Sequence, residues 1–389
     1  MISRYSRKEM ADIWSEEAQY SVWAKVERTH LMCLVNSWII PCEALSEFDI
    51  AYKQSSVNDY RHKEKEVKHD VIAFVEVLAA RMPKFGNYLH LGITSSDIVD
   101  TSTALRVKKS LGLLRSGLSD LVHAVRERMS EHKDTKIMGR THGIHAEPIT
   151  FAKMLSSHHE EFVRAFSTVV HLAIPGKMSG AVGNYNYITK TQEKWILTEL
   201  GLEVEKESTQ IVNRDHFARL GDSIKYIALA IERLCTNIRH LSRTEVNEVS
   251  ERFDQGQKGS SIMPHKKNPI TAENLCGLAR VVTGYANMLT ANTNLWHERD
   301  ISHSSVERIV LPDMLILIDY MIHKCRELIK GLVINASKME ENISLTNDSY
   351  LAQAMLIDLL SKGMSRSEAY NKVQALAFKD THLPFSQRK

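Results

Sequence analysis

The residues best suited to chemistry lie in a short polar segment, residues 256–269, with the sequence GQKGSSIMPHKKNP. Its glycines, serines and prolines break the helical pattern that flanks it on both sides. The backbone amides beside Ser260 and Ser261 could act with Lys266 and Asn268. Together they would bind a carboxylate whose charge grows during a reaction. The segment therefore predicts a mobile lid over an anionic substrate, whereas its composition alone would favour an ordinary surface turn.

A second segment, residues 139–148 (GRTHGIHAEP), places two histidines three residues apart in a predicted short loop. Pro148 is well placed there to begin the next helix. His142 and His145 could ligate a metal, but neither an HExxH helix nor a cysteine cluster accompanies them. General acid or base chemistry is at least as good an interpretation, since histidine changes charge near neutral pH.

A third segment, residues 296–308 (WHERDISHSSVER), combines polar side chains with the predicted start of a helix. Ser304 and Glu307 have the spacing of a capping box, and helix N-termini bind phosphate readily. Arg308 lies one turn beyond Ser304 and Arg299 lies just upstream, so two guanidinium groups could converge on one phosphate. A solvent-facing cap with surface ion pairs is the alternative interpretation.

The elements that must position these segments are long helices. The chain has 17 glycines and 8 prolines in 389 residues, which favours uninterrupted helices over a sheet with many turns. Apolar residues recur every three or four positions in three stripes, as in nearly parallel packed helices. The stripes are Phe217, Leu220, Ile224, Ile227, Ile231, Leu234, Ile238 and Leu241; Leu275, Leu278, Val282, Tyr285 and Leu289; and Met314, Leu317, Met321, Cys325, Leu328 and Leu332. They predict an all-α fold built on a long central helical bundle.

Helix signals nearer the N-terminus suggest how the chain divides. The spacing from Val67 to Leu78 predicts one short amphipathic helix. Thr94 and Asp97 predict a capping box that opens a helix through Leu105. We therefore expect an N-terminal helical domain over residues 1–93, the bundle over residues 94–335, and a short C-terminal helical domain over residues 336–389.

Composition narrows the classes of function. Fifty basic residues against 47 acidic ones leave a net charge of +3. The sequence shows no basic stripe with exposed aromatics, which is the pattern that would indicate nucleic-acid binding. No signal peptide or membrane-spanning run is apparent, so we expect a soluble, unprocessed protein without a membrane partner. The five cysteines lie nine or more residues apart, which predicts reduced thiols in a cytoplasm rather than disulfides or a zinc motif.

Taken together, these segments resemble the fumarase/aspartase superfamily. Its signature has the form Gly-Ser-Ser-x-Met-Pro-x-Lys-x-Asn-Pro, and residues 259–269 match it without a mismatch. Within the superfamily the chain resembles the bacterial branch that splits fumarate from adenylosuccinate and from its imidazole-carboxamide analogue. The further motifs that carry this resemblance are residues 4–6, 68–70, 90–97, 139–148, 177–183, 208–210 and 296–305.

The resemblance implies a reaction that needs no metal or cofactor. A base must remove a weakly acidic proton from the succinyl Cβ, and an acid must protonate the departing nitrogen. By analogy with the family, Ser260 is the base and His142 is the acid. Glu273 resembles the carboxylate that orients the acid, and His69 assists at the substrate.

The resemblance also implies a binding site collected from distant parts of the chain. Lys266 and Asn268 would hold the succinyl carboxylates, with neutral donors from three further residues, and another group would hold the phosphate. The implied substrate-binding residues are Arg4, Tyr5, Asp70, His90, Thr94, Ser95, Gln210, Asn268, Arg299, Ser304 and Arg308. Long helices separate them, so the family's homotetramer, with three subunits at each active site, is expected here, and the heptad stripes would supply its apolar surface.

Three alternatives remain open from the sequence. Another lyase of the superfamily, of argininosuccinate lyase or carboxymuconate cycloisomerase type, would use the same lid but would need no phosphate contacts. A noncatalytic helical assembly protein would have no reason to keep Ser260, His142, Lys266 and Glu273. A nucleic-acid-binding bundle lacks support in the charge pattern.

Overall fold

A computed structural model describes residues 1–259 and 261–388, and within them the chain is mainly helical. The α-helices, in chain order, are α1 Lys8–Ile13, α2 Glu16–Asn36, α3 Glu43–Lys53, α4 Val57–Val67, α5 Asp70–Ala79, α6 Ser95–Glu131, α7 Phe151–Val170, α8 Lys190–Leu200, α9 Asp215–Leu241, α10 Ile270–Ala291, α11 Ser302–Gly331, α12 Ala336–Ser344, α13 Ala352–Ser361 and α14 Arg366–Phe378. The strands are β1 Lys136–Thr141, β2 Ile144–Thr150, β3 Val249–Ser250 and β4 Val333–Ile334. They form two antiparallel pairs, β1 with β2 and β3 with β4. The all-α class is confirmed.

The chain groups into two compact units. The first unit comprises Met1–Leu118, Ala165–Leu229 and Leu278–Ile322; the second comprises Ser119–Arg164, Ala230–Gly277 and His323–Lys389. The predicted division into residues 1–93, 94–335 and 336–389 stays a prediction.

The first unit contains a core in which α2 packs against α3, α4 and α8. Tyr20, Trp23, Tyr60 and Phe74 form an aromatic cluster there, with ring centroids 4.6 to 5.9 Å apart. Edge-to-face and offset contacts of this kind add stability beyond the area that they bury. The cluster makes α2 a rigid platform.

The three apolar stripes lie on α9, on α10 and on α11 with the residue that follows it, and nearly all their members are buried within the chain. The prediction of long packed helices is confirmed. The expectation that the same stripes supply an apolar surface for assembly is wrong, because the chain's own packing already covers them. The large exposed apolar side chains on these helices are Tyr226, Leu229, Ile270, Val281, Met288 and Ile309.

Two helix predictions near the N-terminus need correction. The segment from Val67 to Leu78 is broken, because Lys68 adopts a left-handed conformation (φ 56°) that ends α4 before α5 begins. The helix predicted through Leu105 is α6, which continues to Glu131. In the predicted capping box, the Thr94 amide donates to Asp97 Oδ2 at 2.8 Å, as expected.

In the second unit, β1 and β2 form a hairpin that contacts α12. The polar C-terminus is anchored, since Arg388 donates to the carbonyls of Ala377 (2.7 Å) and Leu383 (3.0 Å). None of the described helices is both long enough and apolar enough to cross a membrane.

Candidate active site

The start of α6, with Ser95 as its first residue and Thr94 just before it, rests on a buried ion pair in the first unit. Asp97 and Lys177 have no exposed side-chain surface and contact each other directly. Asp97 also accepts from the Ser179 amide at 3.1 Å, and the Ser179 and Ser208 hydroxyls lie 2.6 Å apart. Burying a carboxylate without such partners would cost folding free energy. The network therefore fixes the start of α6 against the segments that contain Lys177, Ser179 and Ser208.

A second buried network joins three stretches of the first unit. Arg214 makes paired contacts to Asp100 on α6 (2.6 and 2.9 Å) and to Glu307 on α11 (2.9 and 3.1 Å). The Val212 amide donates to Asp100 at 2.8 Å. These paired hydrogen bonds fix the orientation of the guanidinium in addition to balancing the charges. Arg214 therefore ties the chain before α9 to the starts of α6 and α11.

The electrostatics of this network favour the charged form of two of its members. Burial opposes the charge on Asp100, but Arg214 outweighs it and holds the pKa of Asp100 below its ordinary value. Burial likewise opposes the charge on Arg214, yet the neighbouring carboxylates raise its pKa. Burial raises the pKa of Glu307 to about 7 despite Arg214. Among the three groups of the network, Glu307 is therefore the one whose charged form is least favoured.

Two predicted binding residues meet beside this network. Arg299 Nη1 donates to Gln210 Oε1 at 2.8 Å, and the Gln210 amide donates to the Glu298 carbonyl at 3.4 Å. Arg299 Nε is buried and has no hydrogen-bond partner among the described residues. The contact fixes both side chains at one place in the first unit.

A second group of predicted residues forms around Arg308. Its guanidinium is ion-paired with Asp70, and its Nε donates to Ser304 Oγ at 3.4 Å. His69 caps α5 by accepting from the Ile72 amide, with Nδ1 3.5 Å from Asp70. His69, Asp70, Ser304 and Arg308 are therefore brought together.

The predicted capping box of Ser304 and Glu307 is wrong. Helix α11 begins two residues earlier, at Ser302, whose amide donates to Asp300 Oδ1 at 2.8 Å. Glu307 turns instead to Arg214. A carboxylate therefore already occupies the helix start to which phosphate binding was assigned.

Arg4 and Tyr5 lie in a single 3-10 turn, Ser3–Tyr5, at the N-terminus. The Tyr5 ring packs edge-on against Tyr320 with centroids 5.5 Å apart, and Arg4 is exposed. Arg7 anchors the segment through Asp319 at 2.9 and 3.0 Å. A short turn held in this way can present the Arg4 cation to an anion.

His142 occupies the tip of a hairpin rather than a short loop. It follows β1 directly and precedes Gly143, and both residues are left-handed (φ 56° and 81°). Two such residues form a type I′ turn, in which Asn-Gly is usual and a histidine is strained. Pro148 does not begin a helix; it pairs with Met138 inside β2.

The hairpin is held rigidly from one side while His142 stays exposed. Arg140 makes two contacts to Glu248, at 2.7 and 2.8 Å, and Glu248 also accepts from Asn342 at 2.8 Å. Burial, with help from Arg140, lowers the pKa of His145, so this second histidine is neutral. The arrangement distinguishes the two histidines, since His142 is exposed at the turn and His145 is partly buried in the hairpin.

The lid segment is partly described. Ser260, the predicted base, lies outside the described residues. Asn268 donates to the Gly259 carbonyl at 3.2 Å, and a Cβ on Gly259 would lie 1.8 Å from the Lys266 carbonyl oxygen. Only glycine permits this close approach, which gives the first glycine of the signature a physical reason.

Two predicted catalytic side chains, one in the lid segment and one just after it, are exposed. Lys266 lies on the surface, and Glu273 lies on the first turn of α10. Glu251 holds that turn by accepting from the Thr271 and Ala272 amides at 3.1 and 2.8 Å. Neither Lys266 nor Glu273 has a side-chain hydrogen bond or ion pair within the part of the chain that the structure describes.

Sequence reasoning missed the pairings of the residues that hold the binding groups in place, namely the buried Glu27, Asp97, Asp100, Lys177 and Arg214 and the partly buried Glu307. One signal was available for two of them. Asp97 and Asp100 lie three residues apart at the start of a helix with an apolar pattern, which puts both carboxylates on one face.

Comparison with known proteins agrees with the geometry. Residues 9–284 match the protein family described as lyase. An adenylosuccinate lyase of Aquifex aeolicus is 44% identical over 384 residues, covering 97% of this chain and 88% of the relative. An adenylosuccinate lyase of Bacillus subtilis is 38% identical over 402 residues, covering 100% of this chain and 91% of the relative.

Solved structures show the same fold at lower identity. A fumarate lyase from Mesorhizobium sp. matches with a TM-score of 0.88 at 22% identity, covering 98% of this chain and 88% of that one. A β-carboxy-cis,cis-muconate cycloisomerase from Acinetobacter calcoaceticus matches with a TM-score of 0.87 at 20% identity, covering 98% of this chain and 90% of that one. These likenesses support the helical architecture, whereas the curated relatives are similar along nearly the whole sequence.

Proposed function

This chain belongs to the adenylosuccinate lyase family, and we propose that it eliminates fumarate from adenylosuccinate to give AMP, and from the analogous imidazole-carboxamide nucleotide (SAICAR) to give AICAR. The observation that carries the proposal is the identity of 44% with such a lyase over 97% of the chain. The cycloisomerase is only 20% identical, which leaves that alternative with support from the fold alone.

The reaction begins at the Cβ of the succinyl group. Ser260 takes a proton from Cβ, and the C–H electron pair becomes the new C=C bond as the C–N bond breaks. Negative charge grows on the adjacent carboxylate in the transition state. Lys266 and Asn268, with the amides of the lid, stabilise that charge.

His142 supplies the proton that the departing nitrogen needs. Its place at an exposed, strained hairpin tip suits a group that must reach a substrate. Glu273 would orient the ring and favour its protonated form. Product fumarate carries the new double bond, and the nucleotide leaves with its amino group.

The first unit supplies groups for the nucleotide. Arg4, Tyr5, Arg299, Ser304 and Arg308 bind the phosphate, and Arg308 exchanges its pairing with Asp70 for phosphate oxygens on binding. Further contacts come from His69, Asp70, His90, Thr94, Ser95 and Gln210. The network of Arg214 keeps the ends of α6 and α11 in register for this purpose.

We propose a homotetramer in which each active site draws on several subunits. The exposure of His142, Lys266 and Glu273 supports this, since each lacks a charged partner among the described residues. The exposed apolar side chains of α9, α10 and α11, such as Tyr226, Met288 and Ile309, would form the contact. A cytoplasmic location fits free cysteines and a nucleotide substrate.

The test is the change in ultraviolet absorbance when the purified protein meets adenylosuccinate in the presence of a chelator. Release of AMP and fumarate is expected from the wild type, and Ser260→Ala should abolish turnover while leaving substrate binding and the tetramer intact. Ser261→Ala is the matched control, since it keeps the neighbouring amide and should lose far less. Substantial turnover by Ser260→Ala would refute the assignment of the base, and an inactive wild-type tetramer would refute the substrate.

A further inference from the structure

A fully buried carboxylate lies directly behind one of the predicted binding histidines. Glu27, on α2, has no exposed side-chain surface, and its Oε1 lies 2.6 Å from His90 Nδ1. Its other oxygen accepts from the backbone amide of His90 at 3.3 Å. Both oxygens therefore serve one residue, which is more than a neutral packing role would need.

The same helix also contacts Leu91, the next residue of the turn. His30, one turn along α2 from Glu27, lies with Nε2 2.9 Å from the carbonyl oxygen of Leu91. This contact makes Nε2 the protonated nitrogen of His30, since a carbonyl only accepts. Two side chains of the rigid platform thus hold residues 90 and 91.

The turn needs this support because its backbone is strained. His90 has a left-handed conformation (φ 58°) that glycine or asparagine would adopt at lower cost. Such strain persists only where the surroundings over-determine it, and it concentrates at functional sites. The contacts of Glu27 to both the amide and the ring provide that constraint.

Charge balance indicates the protonation state of the pair. Among the described residues, the only basic group that pairs with Glu27 is His90. Of the other titratable groups that face His90, Asp97 is committed to Lys177, and burial lowers the pKa of His30 and leaves it neutral. Burial also lowers the pKa of His90, but Glu27 outweighs it, so the pKa of His90 lies above 6.5.

We propose that Glu27 is a positioning residue that holds His90 as a permanent cation, with its Nε2 edge directed to an anionic oxygen of the substrate. The side chain of His90 is 21% exposed, and Nε2 has no hydrogen-bond partner among the described residues. A histidine fixed in this way binds a carboxylate or phosphate oxygen and takes no part in proton transfer. That part of the inference rests on the proposed function, whereas the Glu27–His90 pair does not.

The direct test measures the titration of His90 in the full-length protein. Selective ¹³C labelling of the histidine rings, with His90→Gln to assign the resonance, gives its pKa by NMR. We expect the wild-type ring to stay protonated through neutral pH. In Glu27→Gln, which keeps the shape and the amide contact, the ring should become neutral, because burial remains and the charge is gone.

The kinetic test measures KM against pH. In the wild type, the pH profile of KM should show no titration of His90 between pH 6 and 8. In Glu27→Gln, KM should be raised about tenfold at pH 8 and should recover only as the pH falls below 6.5, because burial lowers the pKa of the ring once the carboxylate charge is gone. Glu27→Asp, which restores the charge, should restore the flat profile, and kcat at saturating substrate should change less than KM.

The outcomes separate the two claims. A wild-type His90 that titrates at or below 6.5 overturns the proposal, as does an unchanged KM profile in an active, folded Glu27→Gln. If the wild type has no lyase activity, the proposed function fails, and the NMR titration still decides whether Glu27 holds His90 charged.

Discussion

The candidate site residues of the two units differ in how they are held. In the first unit, Arg299 contacts Gln210, Arg308 contacts Asp70, and His90 contacts Glu27. In the second unit, His142, Lys266 and Glu273 are exposed and lack a charged partner within the described residues. The first set is held by side-chain contacts, whereas the second set is exposed and has no such charged contact.

This difference matches the work assigned to each set. Groups that bind a fixed phosphate gain from being pre-organised, since ordering them on binding would cost affinity. Groups that move protons must change charge during each turnover, and a permanent buried partner would oppose one of the two states. Under the proposed function, we expect the lid and other subunits to complete the surroundings of His142, Lys266 and Glu273.

The largest effect is expected from His142. His142→Gln removes the proton donor, so kcat should fall by about 100- to 10,000-fold, the usual contribution of a general acid. His145→Gln, on the same hairpin, is the control and should retain most of the activity, since His145 is neutral and half-buried. Steady-state kinetics of both variants decides the point. A larger loss in the control would move the catalytic role to the other histidine.

The next effect concerns stability in the first unit. Arg214→Met removes the partner of the buried Asp100 and of the partly buried Glu307, and should lower the free energy of unfolding by about 3–5 kcal/mol. Urea unfolding at constant protein concentration measures the loss. An isolated surface pair would cost 1 kcal/mol or less.

The control for Arg214 removes one carboxylate instead. Glu307→Gln should cost less than Arg214→Met, because burial already raises the pKa of Glu307 to about 7 and its charge is the weakest of the three. A Glu307 variant that is less stable than the arginine variant would show that packing, rather than the ion pairs, holds the network together.

The sequence predicted the helices better than their limits. The stripe from Phe217 to Leu241 identified α9 within two residues, because its apolar period persists for seven turns. The hairpin at residues 136–150 escaped prediction because its turn uses His-Gly where Asn-Gly is the recognisable signal. The break at Lys68 was missed because a left-handed lysine carries no sequence signal of its own.

The candidate site was predictable only where a family motif marked it. The signature loop and the exposed polar residues carry recognisable spacing, whereas among the buried carboxylates behind them only Asp97 and Asp100 do. Glu27 lies 63 positions before His90, and Arg214 lies 93 positions before Glu307. A single sequence cannot pair residues that only the tertiary fold brings into contact.

Replacing Arg308 tests whether the candidate binding residues of the first unit act separately from the candidate reactive residues of the second unit. Arg308→Met should raise KM about 10- to 100-fold with little change in kcat, since the lost contact is made equally in the ground state and the transition state. Unfolding free energy should change by less than 1 kcal/mol, because the pair with Asp70 is largely exposed on the arginine side. A fall in kcat with unchanged KM would place Arg308 with the reactive groups.

The smallest effect is a pH dependence of stability that one buried histidine contributes in each unit. Burial, aided by nearby arginines, lowers the pKa of His303 in the first unit and of His158 in the second to about 4. Because both folded values lie below the ordinary 6.5, stability is complete above that pH and is lost as the pH falls toward 4. Each should contribute about 1–2 kcal/mol of loss between pH 7.5 and 5.

The two histidines can be told apart by replacing them one at a time. His158→Gln and His303→Gln should each flatten the fall in unfolding free energy between pH 7.5 and 5. His303 faces Arg214 and Arg299, so its protonation also adds a third cation beside the binding set of the first unit. We therefore expect acid to weaken the first unit's network in the wild type more than in His303→Gln, whereas His158→Gln should leave that difference in place. If both variants keep the wild-type slope, neither histidine is buried as a neutral group.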